Sequence, residues 1–122
     1  MFKTLISAAV LGAVAFAAPA FAQTKLTVGA SYVPHAEILE QAKPILAKEG
    51  IDLVIVPFQD YILPNTALAS GEIDANYFQH EPYLSSVLAD HKGDANYDFV
   101  SAGGIHIEPI GIYSRGVKNL KD

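Results

Sequence analysis

The sequence predicts an α/β fold with a mostly parallel sheet and helices on both of its faces, on three observations. Runs of strand length alternate with runs of helical period three times between Lys25 and His91. The second strand run, Asp52 to Phe58, is nearly continuous in apolar residues through Leu53, Val54, Ile55 and Val56, as expected for a strand covered on both faces. Gly50 and Gly71 stand just past the first two helical runs, where a left-handed residue ends a helix and returns the chain to a strand.

Taken in order, Lys25 to Ala30 alternates and carries the β-branched Thr27 and Val28, which predicts a first strand ending at Ser31-Tyr32. Pro34 and His35 open a helix whose apolar face is Ile38, Leu39, Ala42, Ile45 and Leu46. Pro44 within it should kink it, because a proline ring meets the carbonyl one turn back and removes a bond. After the Asp52 to Phe58 strand, Gln59-Asp60-Tyr61 crosses into a short helix with Pro64 in its first turn and Leu63, Ala67 and Leu68 inward. Ile73 to Tyr77 reads as a third strand. Pro82 then pre-sets φ for a helix to His91, with Tyr83, Leu84, Val87, Leu88 and His91 on one face. His91 to Asp98 is loop by composition. Phe99 to Ile105 and Ile110 to Tyr113 read as two further strands joined around Pro109, with Gly103-Gly104 marking a bulge or a close backbone approach.

The first 22 residues stand apart from this pattern. Lys3 gives a positive start, Leu5 to Ala18 is uncharged, and Ala20-Phe21-Ala22 follows Pro19. This is the layout of a secretory signal peptide cut between Ala22 and Gln23, leaving residues 23–122 as one domain. A membrane anchor would need about 20 apolar residues. The 122 residues include no cysteine, so disulfides, thiolate metal sites, a cysteine nucleophile and a lipid-modified cysteine are not expected. Eight Lys or Arg stand against 13 Asp or Glu, a formal net charge of −5, which argues against nucleic acid as a partner. Exported and without disulfides, the product fits a bacterial periplasm.

In an open α/β sheet ligands bind beyond the carboxyl ends of the strands. The residues expected there are Ser31-Tyr32, Gln59-Asp60-Tyr61 and Phe78-Gln79-His80, the last group also at the amino end of a helix where unsatisfied N–H groups suit a carboxylate. Two aromatics, an imidazole and several amide or hydroxyl groups would suit a small ligand with an apolar part and a polar head. His35 and His106 could line the same cleft or act as structural hydrogen-bonders. Four histidines with Glu37, Glu81 and Glu108 raise a zinc or manganese receptor as an alternative, but no pair has His-x₃-His or similar spacing. A small hydrolase is the remaining alternative. The chain has no Gly-x-Ser-x-Gly, and Ser85 and Ser86 lie inside a helix pattern with no evident base. No catalytic residue, metal ligand or cofactor is expected.

The runs Pro34 to Glu40, Phe58 to Tyr61, Asn65 to Leu68, Gly71 to Leu84 and Pro109 to Ser114 together resemble the methionine-binding NlpA/MetQ lipoprotein family, the substrate receptors of ABC importers for methionine. The Asp74-Ala-Asn-Tyr-Phe-Gln-His-Glu-Pro-Tyr-Leu84 run carries most of that likeness. The resemblance implies a periplasmic-binding-protein-like lobe, methionine or a close derivative as ligand, and an ABC importer permease as partner. It further implies that Tyr61 and Phe78 flank the thioether while His80 contacts the polar part, with Tyr32, Gln79 and His35 as further lining. Aromatic rings attract sulfur by about 0.3 to 1.5 kcal/mol per contact, which fits those positions. Gln23 stands where the family's lipidated cysteine would be, so the expectation is a receptor without a membrane anchor, free in the periplasm. Family members have two lobes around the ligand, and the expectation here is the first lobe alone, with binding impaired.

Overall fold

The computed structural model describes residues 23–116 and divides into two units, residues 23–77 and 78–116. The predicted signal segment and the last residues, 117–122, lie outside the described residues. Among the described residues no helix is long and apolar enough to cross a membrane.

The first unit is a three-stranded parallel sheet in the order β2-β1-β3 with two helices. Strand β1, Thr24–Ser31, pairs along its whole length with β2, Ile51–Phe58, from Thr24 opposite Ile51 to Ser31 opposite Phe58. Strand β3, Ala75–Tyr77, pairs with the carboxyl half of β1, Val28 opposite Ala75 and Ala30 opposite Tyr77. Helix α1, Glu37–Lys48, packs on β2, and α2, Leu63–Ala69, packs on β1 and β3. Val28, Ala30, Leu53, Ala67 and Ile73 are buried, together with Pro64. Removing such side chains from water is the main favourable contribution to a fold of this kind, at roughly 25 cal/mol per Å² of apolar surface.

The third strand is shorter than the sequence predicts. Asp74, read as its second residue, acts as a clasp: its Oδ2 accepts from the Thr27 amide at 2.7 Å while its own amide donates to the Thr27 carbonyl at 2.8 Å. That pair of bonds sits one position before the Val28–Ala75 pairing and fixes its register.

Central strand β1 is crossed at Gly29 by two larger side chains. A Cβ there would lie 2.6 Å from Cδ1 of Ile73 and 2.8 Å from Cε2 of Phe58, so only glycine fits beneath them. The helix stops are as the sequence predicts. Gly50 and Gly71 take φ of 79° and 75°. At the second of them the Gly71 amide bonds the Leu68 carbonyl at 3.1 Å and the Glu72 amide bonds that of Ala67 at 3.0 Å, the two bonds of a Schellman turn.

Helix α1 starts later than expected. Tyr32–Ala36 makes one wide irregular turn, and regular helix begins at Glu37. Val33 is extended (φ −132°, ψ 133°) because a residue before proline avoids the helical region; the Val33–Pro34 peptide is cis. The helix then runs unbroken through Pro44, which is exposed. Its apolar stripe is only partly covered. None of its residues is buried, and Ile45 is 60% exposed.

The second unit opens at Phe78 and is organised by α3, Glu81–Asp90, with Pro82 in its first turn as expected. Tyr83, Leu84, Val87 and Leu88 share its half-buried face. Phe78 is buried and meets Tyr83 edge-on, ring centroids 6.1 Å apart. His91 closes the helix and stacks on Tyr97 at 3.7 Å, with Tyr97 in a single helical turn, Ala95–Tyr97, that the Asp94 side chain caps through the Asn96 amide.

The two further strands expected at Phe99 to Ile105 and Ile110 to Tyr113 are not present. Residues 98–114 form no regular element. Their alternation is that of strands, but a strand exists only through its ladder, and no described segment pairs with them. Gly103, with φ 145°, lies within this irregular stretch and is not a bulge in a strand.

Candidate ligand-binding site

Parallel pairing sets the carboxyl ends of β1 and β2 side by side. Ser31 is opposite Phe58, so Tyr32 and the Gln59-Asp60-Tyr61 turn leave the sheet at the same edge. Tyr32 and Tyr61 are both presented there to solvent, 63% and 65% exposed. Such rings lose apolar surface to water unless something covers them, which is the property wanted of a binding edge.

Asp60 shapes this edge. Its Oδ1 accepts from the amides of Ile62 and Leu63 at 2.8 and 2.7 Å, capping α2 and fixing the turn that carries Tyr61. Below the turn, α2 is tied to β3 by amides: Asn76 Nδ2 donates to Asn65 Oδ1 at 2.9 Å and lies 3.3 Å from the Pro64 carbonyl. Asn65 is buried, so this bond satisfies a group that would be costly to leave alone.

His35 takes a structural place. It is buried, shares a hydrogen bond through Nδ1 with the Ser31 hydroxyl, and stands edge-on to Tyr77 with ring centroids 4.6 Å apart. The residue thereby joins the end of β1, the turn that follows it and the last residue of β3. Tyr77 was missed as a partner because the sequence showed it only as an alternating strand residue.

A cavity of about 220 Å³ lies against the carboxyl half of β2, lined by Tyr32, Ala36, Glu37, Glu40, Ile55 and Pro57. A broader hollow of about 710 Å³ runs along α1 and β2 past Lys43, Pro44 and Ala47 and contains none of the expected site residues. Position, not size, favours the first.

The other expected residues belong to the second unit. Phe78 follows directly on the last residue of β3 and is buried, Gln79 is half-buried, and His80 is exposed. His80 is the cap residue of α3: its backbone is extended (φ −93°, ψ 159°) and its carbonyl accepts from the Tyr83 and Leu84 amides at 3.1 and 3.2 Å. Its side chain makes no capping bond; with Pro82 lacking an N–H and the Tyr83 and Leu84 amides bonded to the His80 carbonyl, the Glu81 amide is the first-turn N–H of α3 left beside the exposed imidazole. Of the remaining histidines, His91 is engaged with Tyr97, and His106 Nε2 lies 3.0 Å from Glu108 Oε1.

With this arrangement in view, the profile of the NlpA lipoproteins matches residues 26–122. The chain belongs to the NlpA lipoprotein family. The methionine-binding lipoprotein MetQ of Bacillus subtilis (strain 168) is 47% identical over 98 residues, covering 80% of this chain and 35% of that protein. A pheromone cOB1 precursor/lipoprotein of the YaeC family from Enterococcus faecalis V583 superposes with a TM-score of 0.73 at 54% identity, over 80% of this chain and 39% of that one. A nutrient binding protein from Burkholderia cenocepacia, solved bound to methionine, gives a TM-score of 0.71 at 42% identity, again over 80% and 39%. The chain therefore spans between about a third and two fifths of the relatives it matches. The α/β architecture predicted from sequence is thus that of the family.

One expectation is corrected by these relatives. The absence of cysteine led to a receptor without a membrane anchor, yet the family is one of lipoproteins, and the Bacillus relative is named as one. An unanchored state is therefore not carried forward.

Proposed function

We propose that this chain forms one ligand-binding lobe of an exported methionine receptor that delivers its ligand to the permease of an ABC importer. Residues 1–22 serve as its export signal and residues 23–122 as the lobe. The single observation that carries the reading is the likeness to the methionine-bound Burkholderia protein, at 42% identity across 80% of this chain. The aromatic character of the expected lining supports it. Following the family resemblance position by position, Tyr61 and Phe78 contact the thioether and His80 contacts the polar head, helped by the Glu81 amide, with Tyr32, Gln79 and His35 as further lining.

Binding by the chain alone is weak in this reading. A ligand resting on one lobe keeps much of its surface wet, and its ammonium and carboxylate keep most of their hydration. Losing about 4 kcal/mol of head-group pairing changes a micromolar dissociation constant to a millimolar one. Isothermal titration with L-methionine and with norleucine, which replaces the sulfur by a methylene, tests the proposal. A millimolar constant for methionine, with norleucine weaker, is the expected result. No heat from either ligand at about 50 mM, where a millimolar site is nearly full, would remove methionine as the ligand.

A further inference from the structure

We propose that Asp60 is a positioning residue for ligand binding: its carboxylate sets the direction of the Tyr61 ring without touching the ligand. The inference rests on the reading of Tyr61 as a thioether contact and names the residue that aims it.

Tyr61, Ile62 and Leu63 are three consecutive large apolar residues, 65%, 72% and 53% exposed. A turn whose side chains face water gains little from packing, so its shape depends on bonds to its backbone. Two of those bonds converge on one atom. Oδ1 of Asp60 accepts from the Ile62 amide at 2.8 Å and from the Leu63 amide at 2.7 Å, an Asx turn that runs on into the first turn of α2.

Tyr61 is the residue that this turn encloses. After it, Ile62 is held at its carbonyl as well as its amide, since that carbonyl accepts from the Thr66 amide at 3.4 Å and from the Thr66 hydroxyl at 3.3 Å. Before it, β2 runs in register with β1 as far as Phe58, opposite Ser31. The chain is thus fixed on both sides of Tyr61, and Asp60 closes the interval between them. A contact residue held in its binding direction before the ligand arrives loses less freedom when the ligand is bound.

A side chain that only capped α2 would behave differently. Its loss would lower stability and leave the affinity of the folded chain unchanged. A side chain that aims Tyr61 lowers affinity when it is removed, and does so only while the Tyr61 ring is there to be aimed.

The test is titration of L-methionine into the purified chain and its D60A, D60N, Y61A and D60A/Y61A variants, with NMR order parameters measured on each ligand-free form. The dissociation constant of D60A should rise about two- to tenfold, as should that of Y61A. The double variant should bind within about twofold of Y61A, and D60N, which keeps an acceptor oxygen, within about twofold of the parent chain. Without ligand, the Tyr61 amide should fall from an order parameter of about 0.85 in the parent to below about 0.6 in D60A, and recover in D60N. Unchanged affinity in D60A, additive losses in the double variant, or a Tyr61 amide as ordered in D60A as in the parent each overturns the proposal on its own account. A parent chain that binds no methionine overturns it through its premise instead, and the parent titration alone identifies that case.

Discussion

His35 meets Tyr77 edge-on, ring centroids 4.6 Å apart and planes at 80°, while its Nδ1 is hydrogen-bonded to the Ser31 hydroxyl. One buried imidazole therefore fastens the carboxyl ends of β1 and β3 to the turn between β1 and α1. Tyr32 leaves the sheet within this fastened turn, directly after Ser31.

His35→Ala is expected to lower the free energy of unfolding by about 1 to 3 kcal/mol, through a lost ring contact and a buried hydroxyl left with one partner fewer. Urea denaturation measures it. Unchanged stability would show that His35 does not hold this edge together.

Gly29→Ala should cost about 1 to 3 kcal/mol, because the new methyl would overlap Ile73 and Phe58. Its cost should be smaller in an Ile73→Val background, which removes the nearer of the two obstructing atoms. Denaturation of the two single variants and the double variant gives the coupling directly.

Asp60→Ala should destabilise by about 1 kcal/mol, since two amides at the start of α2 lose their acceptor. Asp60→Asn keeps an acceptor oxygen and should recover most of that loss. Equal losses in the two variants would argue that Asp60 acts by charge alone.

The elements that sequence resolved are those whose determinants are local. Gly50 and Gly71 mark helix ends because the left-handed conformation there suits glycine, and the apolar run of β2 marks a covered strand wherever it occurs. Pro82 likewise opened α3 as read. Two of the misreadings depend on partners distant in sequence. The runs after Phe99 have strand pattern without a described strand beside them, and Asp74 became a clasp only because Thr27 lies against it. The helix expected from Pro34 begins at Glu37 because Val33 stays extended ahead of the proline. Of the expected site, Tyr32 and Tyr61 lie at the carboxyl edge as foreseen, and His35 turned inward to a partner that periodicity could not reveal.

Tyr61→Ala separates fold from binding. The ring is 65% exposed, so its removal should change stability by no more than about 0.5 kcal/mol. Methionine binding should nevertheless weaken by about 0.3 to 1.5 kcal/mol for the lost sulfur contact. Parallel denaturation and calorimetric titration check both halves of the statement.

The central claim, that methionine is held by residues at the strand ends, is tested most directly by following backbone amide resonances of the chain as L-methionine is added. The account predicts saturable shifts concentrated at Tyr61 and at Phe78, Gln79 and His80, with a dissociation constant on the order of millimolar. Shifts confined to other surfaces, such as the hollow beside Lys43 and Pro44, or no shifts at any of these four residues, would contradict it.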